Sequence, residues 1–240
     1  MATGWRNGMA WLAAAVLLGG CAVQAPPPPR EAAPVAARTT VAPGAKLPFA
    51  QVVARVEPVA EDLCRRRGTV RDCDFRIIYD DRPGVPANAF QTRDDRGRPI
   101  LIVTGPLVRE TRNAHELAFV LGHEAAHHIE GHLDRQQASA VWGAVLIGSV
   151  IAASGGDPSS VEAAQRLGAQ AGSRVFSKEF ELEADALGTV IAARSGFDPV
   201  QGAAFFARIP DPGDRFLGSH PPNAARQQVV RDTAARLSVQ

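Results

Sequence analysis

Apolar residues recurring every three to four positions divide most of this chain into helices. The pattern predicts a first helix from Phe49 to Arg67, kinked or broken at Pro58, whose ring nitrogen has no hydrogen to give. Leu117, Val120 and Leu121 form the stripe of another, with Asn113 as N-cap, Glu116 as its capping-box partner and Gly131 as the stop. Leu182, Ala186, Leu187, Val190 and Ile191 mark a third, between Ser177 and Gly196. Asp157-Pro158 and Asp198-Pro199 each read as an N-cap followed by proline at the first helical position, and a last helix starts near Pro221-Pro222. Strands at Phe75 to Tyr79 and Ile100 to Thr104 flank a stretch rich in turn signals, including Pro83-Gly84 and Asp95-Arg96-Gly97. Ala140 to Ala153 is apolar, uncharged and broken by glycine. It is short of the ~20 residues a membrane span needs, so it reads as a buried helix, with a membrane-facing hairpin over the site as the other option. There is no internal repeat. The fold class is α+β, mainly helical, with a small sheet.

The start of the chain has a different texture. Trp11 to Leu18 is a short apolar core behind a weakly basic start, and Leu18-Gly19-Gly20-Cys21 reads as a lipobox. On that reading residues 1–20 are a signal peptide and Cys21 carries lipid. An ordinary secretory signal with an incidental cysteine, or an uncleaved anchor, is the alternative. Residues 22–47, rich in proline and alanine, bury too little apolar surface to fold and form a polyproline-like tether. Residues 48–240 are then one domain with a core of its own. Ala22 after the cysteine resembles the enterobacterial rule for sorting to the outer membrane. A formal charge of +1 with no basic stripe argues against a nucleic-acid partner. Cys64 and Cys73, close in sequence, should pair as a disulfide in an oxidising periplasm.

The chemistry lies in His123-Glu124-Ala125-Ala126-His127. Histidines four apart on a helix stack on one face, where both imidazoles can bind one zinc ion, and the intervening glutamate can handle the proton of a water there. Zinc needs a third protein ligand. His132 comes five residues after His127 and does not fit the spacing in which a third histidine follows at six. His115, His128 and His132 read as ordinary histidines, His128 facing away from the pair. In Glu181-Leu182-Glu183-Ala184-Asp185, Glu181 and Asp185 share a helix face, so one could ligate while the other orients a histidine. Glu183 points elsewhere and reads as solvated.

HExxH followed at long range by ExxxD resembles the M48 group of gluzincin zinc metallopeptidases, which includes prenyl-protein endopeptidases, membrane heat-shock proteases and periplasmic lipoprotein proteases. Asn88-Ala89-Phe90 before the strand at Pro99 to Gly105, and Ser219-His220-Pro221 with Arg226 downstream, fit less specific parts of the pattern. The resemblance covers residues 48–236. It implies one zinc per chain held by His123, His127 and Glu181, with Glu124 as general base and Asp185 and Arg226 behind the ligands. His220 is the candidate oxyanion donor, or a latch on the metal at rest; a loop histidine capping the next helix is the bland alternative. The strand near Ile100 to Val103 could pair with an extended substrate. The implied activity is endopeptidase cleavage of unfolded or misassembled envelope proteins, from a lipid anchor facing the periplasm. Two rivals stay open: a zinc-binding lipoprotein acting as chaperone or assembly factor, and a zinc amidase acting on cell-wall peptides.

Overall fold

The computed structural model describes residues 40–175, 177–209 and 221–238. Cys21 and His220 lie outside them. Helix α1 spans Phe49–Arg67 and stops at Gly68, whose φ of 65° lets its N–H turn back to the Cys64 carbonyl. The helix runs unbroken through Pro58. Pro58 and Ala54 are both exposed, so water can satisfy the Ala54 carbonyl that loses its partner. The opposite face, with Val52, Val56, Val59 and Leu63, is buried in the core.

Strands β1 (Arg76–Asp80), β2 (Ala89–Arg93) and β3 (Pro99–Thr104) form one sheet in the order β1-β3-β2. β3 pairs in parallel with β1 and antiparallel with β2. This corrects the expectation that the strand at Ile100 to Val103 receives substrate. As the central strand it has a partner on each side, and the edges belong to β1 and to β2, a strand the sequence pattern did not reveal. A short helix α2 (Gly105–Glu110), likewise not foreseen, is capped by Thr104 and leads towards the central helix.

That helix, α3, spans Ala114–Ile129, and the Asn113 side chain accepts from the Glu116 N–H at 3.0 Å. Glu116 does not close the expected capping box. Its carboxylate accepts the Arg112 N–H at 2.8 Å, one residue earlier, and takes Arg208 Nη1 at 2.7 Å on its other oxygen. Gly131, at φ 67°, ends α3 and starts α4 (His132–Ala153). α5 (Pro158–Val175), capped by Asp157, returns antiparallel to α4. α6 is Ser177–Arg194, α7 is Pro199–Ala203 capped by Asp198, and α8 is Asn223–Leu237.

The stretch from Ala140 to Ala153 is not buried; Gly148 is its one buried residue. The contact with α5 uses glycines. A Cβ on Gly143 would lie 2.1 Å from the Gly168 carbonyl oxygen, and one on Gly172 would lie 2.2 Å from that of Ser139. Backbones this close leave no room for large side chains between them, so Val141, Trp142, Leu146 and Val150 turn outward and are exposed. As a whole helix, His132–Ala153 is long and apolar enough to cross a membrane by length and composition.

A disulfide joins Cys64 to Cys73, tying the end of α1 to the approach of β1. Inside that loop the Asp72 carbonyl accepts a hydrogen bond from His128 Nε2 at 2.8 Å, so the loop braces α3 beside the HExxH turn. His128 is buried, edge-on to Phe75. Closing so short a loop should stabilise by about 2–3 kcal/mol through the unfolded chain. Replacing both cysteines by serine should lower the urea midpoint accordingly; an unchanged midpoint would show that the bridge does nothing for stability.

Candidate active site

His123 and His127 sit one turn apart on α3 and face α6, from which Glu181 projects towards them. His123 Nε2 and His127 Nε2 are 3.0 Å apart, and the Glu181 oxygens lie 3.5 Å and 3.3 Å from them. One donor atom from each residue falls within 4.8 Å of the others. A tetrahedral ion with bonds of about 2.0–2.1 Å would hold its donors roughly 3.3 Å apart, so this set of two imidazoles and a carboxylate fits zinc in spacing and in ligand type. Among the described residues no other group of three histidine, cysteine or acidic side chains converges in this way.

Two glycines permit that approach. A Cβ on Gly122 would lie 2.9 Å from the Gly188 carbonyl oxygen, and one on Gly188 would lie 2.9 Å from the His123 backbone nitrogen. With hydrogens alone at both positions, α3 and α6 pack backbone to backbone beside the donors.

Asp185, one turn after Glu181, is fully buried behind His123 and accepts from its Nδ1 at 2.9 Å. Arg226 reaches in from α8 and holds Asp185 with two hydrogen bonds, 2.7 Å from Nε and 2.8 Å from Nη2. Its guanidinium also lies 3.3 Å from Glu181 and 3.8 Å from the centre of the Phe206 ring. Burial pushes the Asp185 carboxyl up, but hydrogen bonds from Arg226 and His123 outweigh it and hold the group below its ordinary value. Glu124, half-buried on the cleft floor, is shifted the other way. Burial raises it above the usual carboxylate range, with His123 and His127 opposing, which moves it towards the range useful to a general base.

The donors open onto a cleft of about 410 Å³. Leu107, Phe119, Val120, Phe205, Phe206 and Ile209 give it apolar walls, and Ala87 to Ala89, leading into β2, form part of the rim. β2 pairs only with β3, so no described strand occupies its outer edge beside the cleft.

Two residues read as ordinary in the sequence prove to be attached to the site. His132 is buried, with Nδ1 2.8 Å from His127 Nδ1 and Nε2 3.0 Å from Glu183. Glu183 is partly exposed but also holds Arg135, so it is not simply solvated. Burial pushes His132 down to about 4. Only the spacing of His132 from the motif, in a turn forced by Gly131, could have signalled this. His115 is structural: its Nε2 lies 2.9 Å from the Ala42 carbonyl, and its Nδ1 accepts the Asp198 N–H at 3.0 Å.

Comparison with known proteins agrees with the chemistry of the cleft. The class is the metallopeptidases: residues 48–234, most of the chain, match Peptidase family M48. The chain belongs to that family. It is 35% identical over 151 residues to the beta-barrel assembly-enhancing protease of Yersinia pestis, a match covering 57% of this chain and 31% of that protein. The protein of the same name from Escherichia coli (strain K12) is 29% identical over 150 residues, with the same coverage of both chains. The match thus spans about a third of the length of these relatives.

The glycine contact gives a direct test. Gly188→Ala gains about 1 kcal/mol of helix propensity, but the methyl overlaps backbone, and such overpacking costs about 1–3 kcal/mol. The helices must part, and Glu181 retreats with α6. Zinc affinity, measured by chelator competition, should fall; a variant that binds zinc as tightly as wild type would show that this contact does not set the donor spacing.

Proposed function

We propose that the chain is a zinc-dependent endopeptidase of the bacterial envelope, with His123, His127 and Glu181 as the ligands of one zinc ion and Glu124 as general base. One observation carries this reading. Two imidazoles and a carboxylate converge on the floor of a cleft that Glu124 also lines. A structural zinc site is closed by four protein ligands and has no use for a base.

Zinc in this position supplies a Lewis acid and lowers the pKa of water at the floor of the cleft. The remaining work belongs to the chain. The open edge of β2 offers backbone N–H and C=O groups to an extended segment, which favours unfolded or flexible substrates over compact ones. The apolar walls take side chains near the scissile bond. Glu124 accepts a proton from the attacking water and delivers it to the leaving amine nitrogen. Asp185 and Arg226 orient His123. From sequence alone, His220 is the candidate to donate to the developing oxyanion and to latch the site at rest.

The relatives' name, beta-barrel assembly-enhancing protease, supports a role in turnover of misassembled envelope proteins. The lipobox at Cys21 and the proline- and alanine-rich segment after it support a periplasm-facing lipid anchor in the outer membrane. The expected tether cannot run to residue 47, because Val41 and Leu47 pack on the core and the Val41 N–H bonds the Gly196 carbonyl at 2.8 Å.

Zinc content and casein cleavage measured on a series of variants test the site. Glu124→Gln should keep fold and zinc but lose cleavage, since the amide accepts no proton; cleavage near the wild-type rate would remove the mechanism. Glu181→Ala should weaken zinc binding, and unaltered affinity would mean that the third ligand lies elsewhere. His220→Ala should change zinc affinity, or lower turnover by about 10²–10³ if it is the oxyanion donor. If neither changes, His220 does not belong to the site.

Cys21→Ser tests the anchor. The variant should lose lipid modification and remain unprocessed in the inner membrane, whereas unchanged mass and fractionation would exclude a lipoprotein.

A further inference from the structure

We propose that His132 and Glu183 are positioning residues for the metal site, holding His127 in the tautomer whose Nε2 lone pair faces the ion. This rests on the reading of His127 as a zinc ligand. The argument is one of proton placement along a chain of short contacts. A carboxylate oxygen can only accept, so the 3.0 Å contact between Glu183 Oε2 and His132 Nε2 places a hydrogen on that nitrogen. A neutral imidazole carries one N–H, so His132 Nδ1 is bare. His127 Nδ1 lies 2.8 Å from it and must therefore donate. That leaves His127 Nε2 bare, 3.0 Å from His123 Nε2 and 3.3 Å from Glu181, where an ion would sit. The other tautomer of His127 would set two lone pairs against each other at 2.8 Å and point an N–H at the metal.

The surrounding packing fixes the intermediate ring. His132 is the first residue of α4, turned beneath His127 by the left-handed Gly131. It stacks on Phe180, with ring centres 4.6 Å apart and planes within 10°. Arg135 holds Glu183 with both terminal nitrogens and covers the Phe180 ring at 4.2 Å. Each histidine of the motif thus ends in a carboxylate paired with an arginine: His123 through Asp185 to Arg226, and His127 through His132 and Glu183 to Arg135.

The test is zinc affinity by chelator competition on the purified protein, together with the NMR signal of the His127 ring N–H in the zinc-loaded state. His132→Leu fills the space but offers no acceptor, and should weaken zinc about 10- to 100-fold, the usual effect of losing a group behind a ligand. His132→Asn puts an amide oxygen near the place of Nδ1 and should recover most of that loss. Glu183→Ala, at a partly exposed position, should weaken zinc in the wild-type background but add little to His132→Leu. If His132→Leu does not fold, Glu183→Ala and His132→Asn decide alone. Wild-type affinity in both His132→Leu and Glu183→Ala, with Glu181→Ala still weakened, would overturn the positioning role and leave the zinc site standing. If Glu181→Ala leaves affinity unchanged too, the ligand assignment falls and this inference falls with it.

Discussion

The backbone contact between Gly122 on α3 and Gly188 on α6 is the constraint on which the site depends. Two helices that meet through ordinary side chains keep their axes 8–10 Å apart. Here a single added carbon on either glycine would come within 2.9 Å of the facing backbone. The close packing lets Glu181, a side chain of modest reach, approach both imidazoles of the neighbouring helix. It also buries Asp185 completely, which makes its two hydrogen bonds from Arg226 obligatory. A buried carboxylate left without its partner would cost about 3–5 kcal/mol. α8 is therefore bound into the site through charge as well as through its packing.

The parts of the molecule divide between those that hold the donors and those that leave them accessible. α3, α6 and α8 fix the donors from below. The sheet, α2 and the segment through Phe205 and Phe206 build the walls of the cleft without closing it. Among the described residues no fourth donor joins the three, which in the proposed zinc site leaves a coordination position for chemistry. The disulfide loop serves the first group. It reaches α3 at His128, one residue from His127, and so stiffens the helix where rotation would spoil the geometry.

Much of this was legible in the sequence because it is local. The four-residue spacing of His123 and His127, the Asn113 cap, the stop at Gly131 and the proline-started helices all follow from helix geometry alone. Glu181 and Asp185 were recognisable as a pair for the same reason. What escaped was set by partners distant in sequence. The apolar run in α4 has the composition of a buried helix, but the glycine contact with α5 sends its large side chains outward, and that depends on a register fixed across both helices. β2 is five residues long with a weak alternation. Only its pairing with β3 makes it a strand, and that pairing puts β3 in the centre and makes β2 the edge strand on the side of the cleft. Glu116 has the right spacing for a capping box, yet Arg208, far along the chain, holds both its oxygens, and one of them also accepts the Arg112 N–H.

His132 and Glu183 show the same limit inside the site. Helix geometry turns Glu183 about 200° from Glu181, away from the face that carries the metal-directed carboxylate. That placement makes Glu183 look solvated in the sequence, and it also prevents a direct bond to His127. Asp185, on the same face as Glu181, meets His123 without help. A carboxylate on the flank of α6 can orient the second histidine only through a group from another element. The left-handed turn at Gly131 supplies one by placing His132 between them. The two-ring contact is thus the geometric consequence of backing both histidines from a single helix that also carries Glu181 between them.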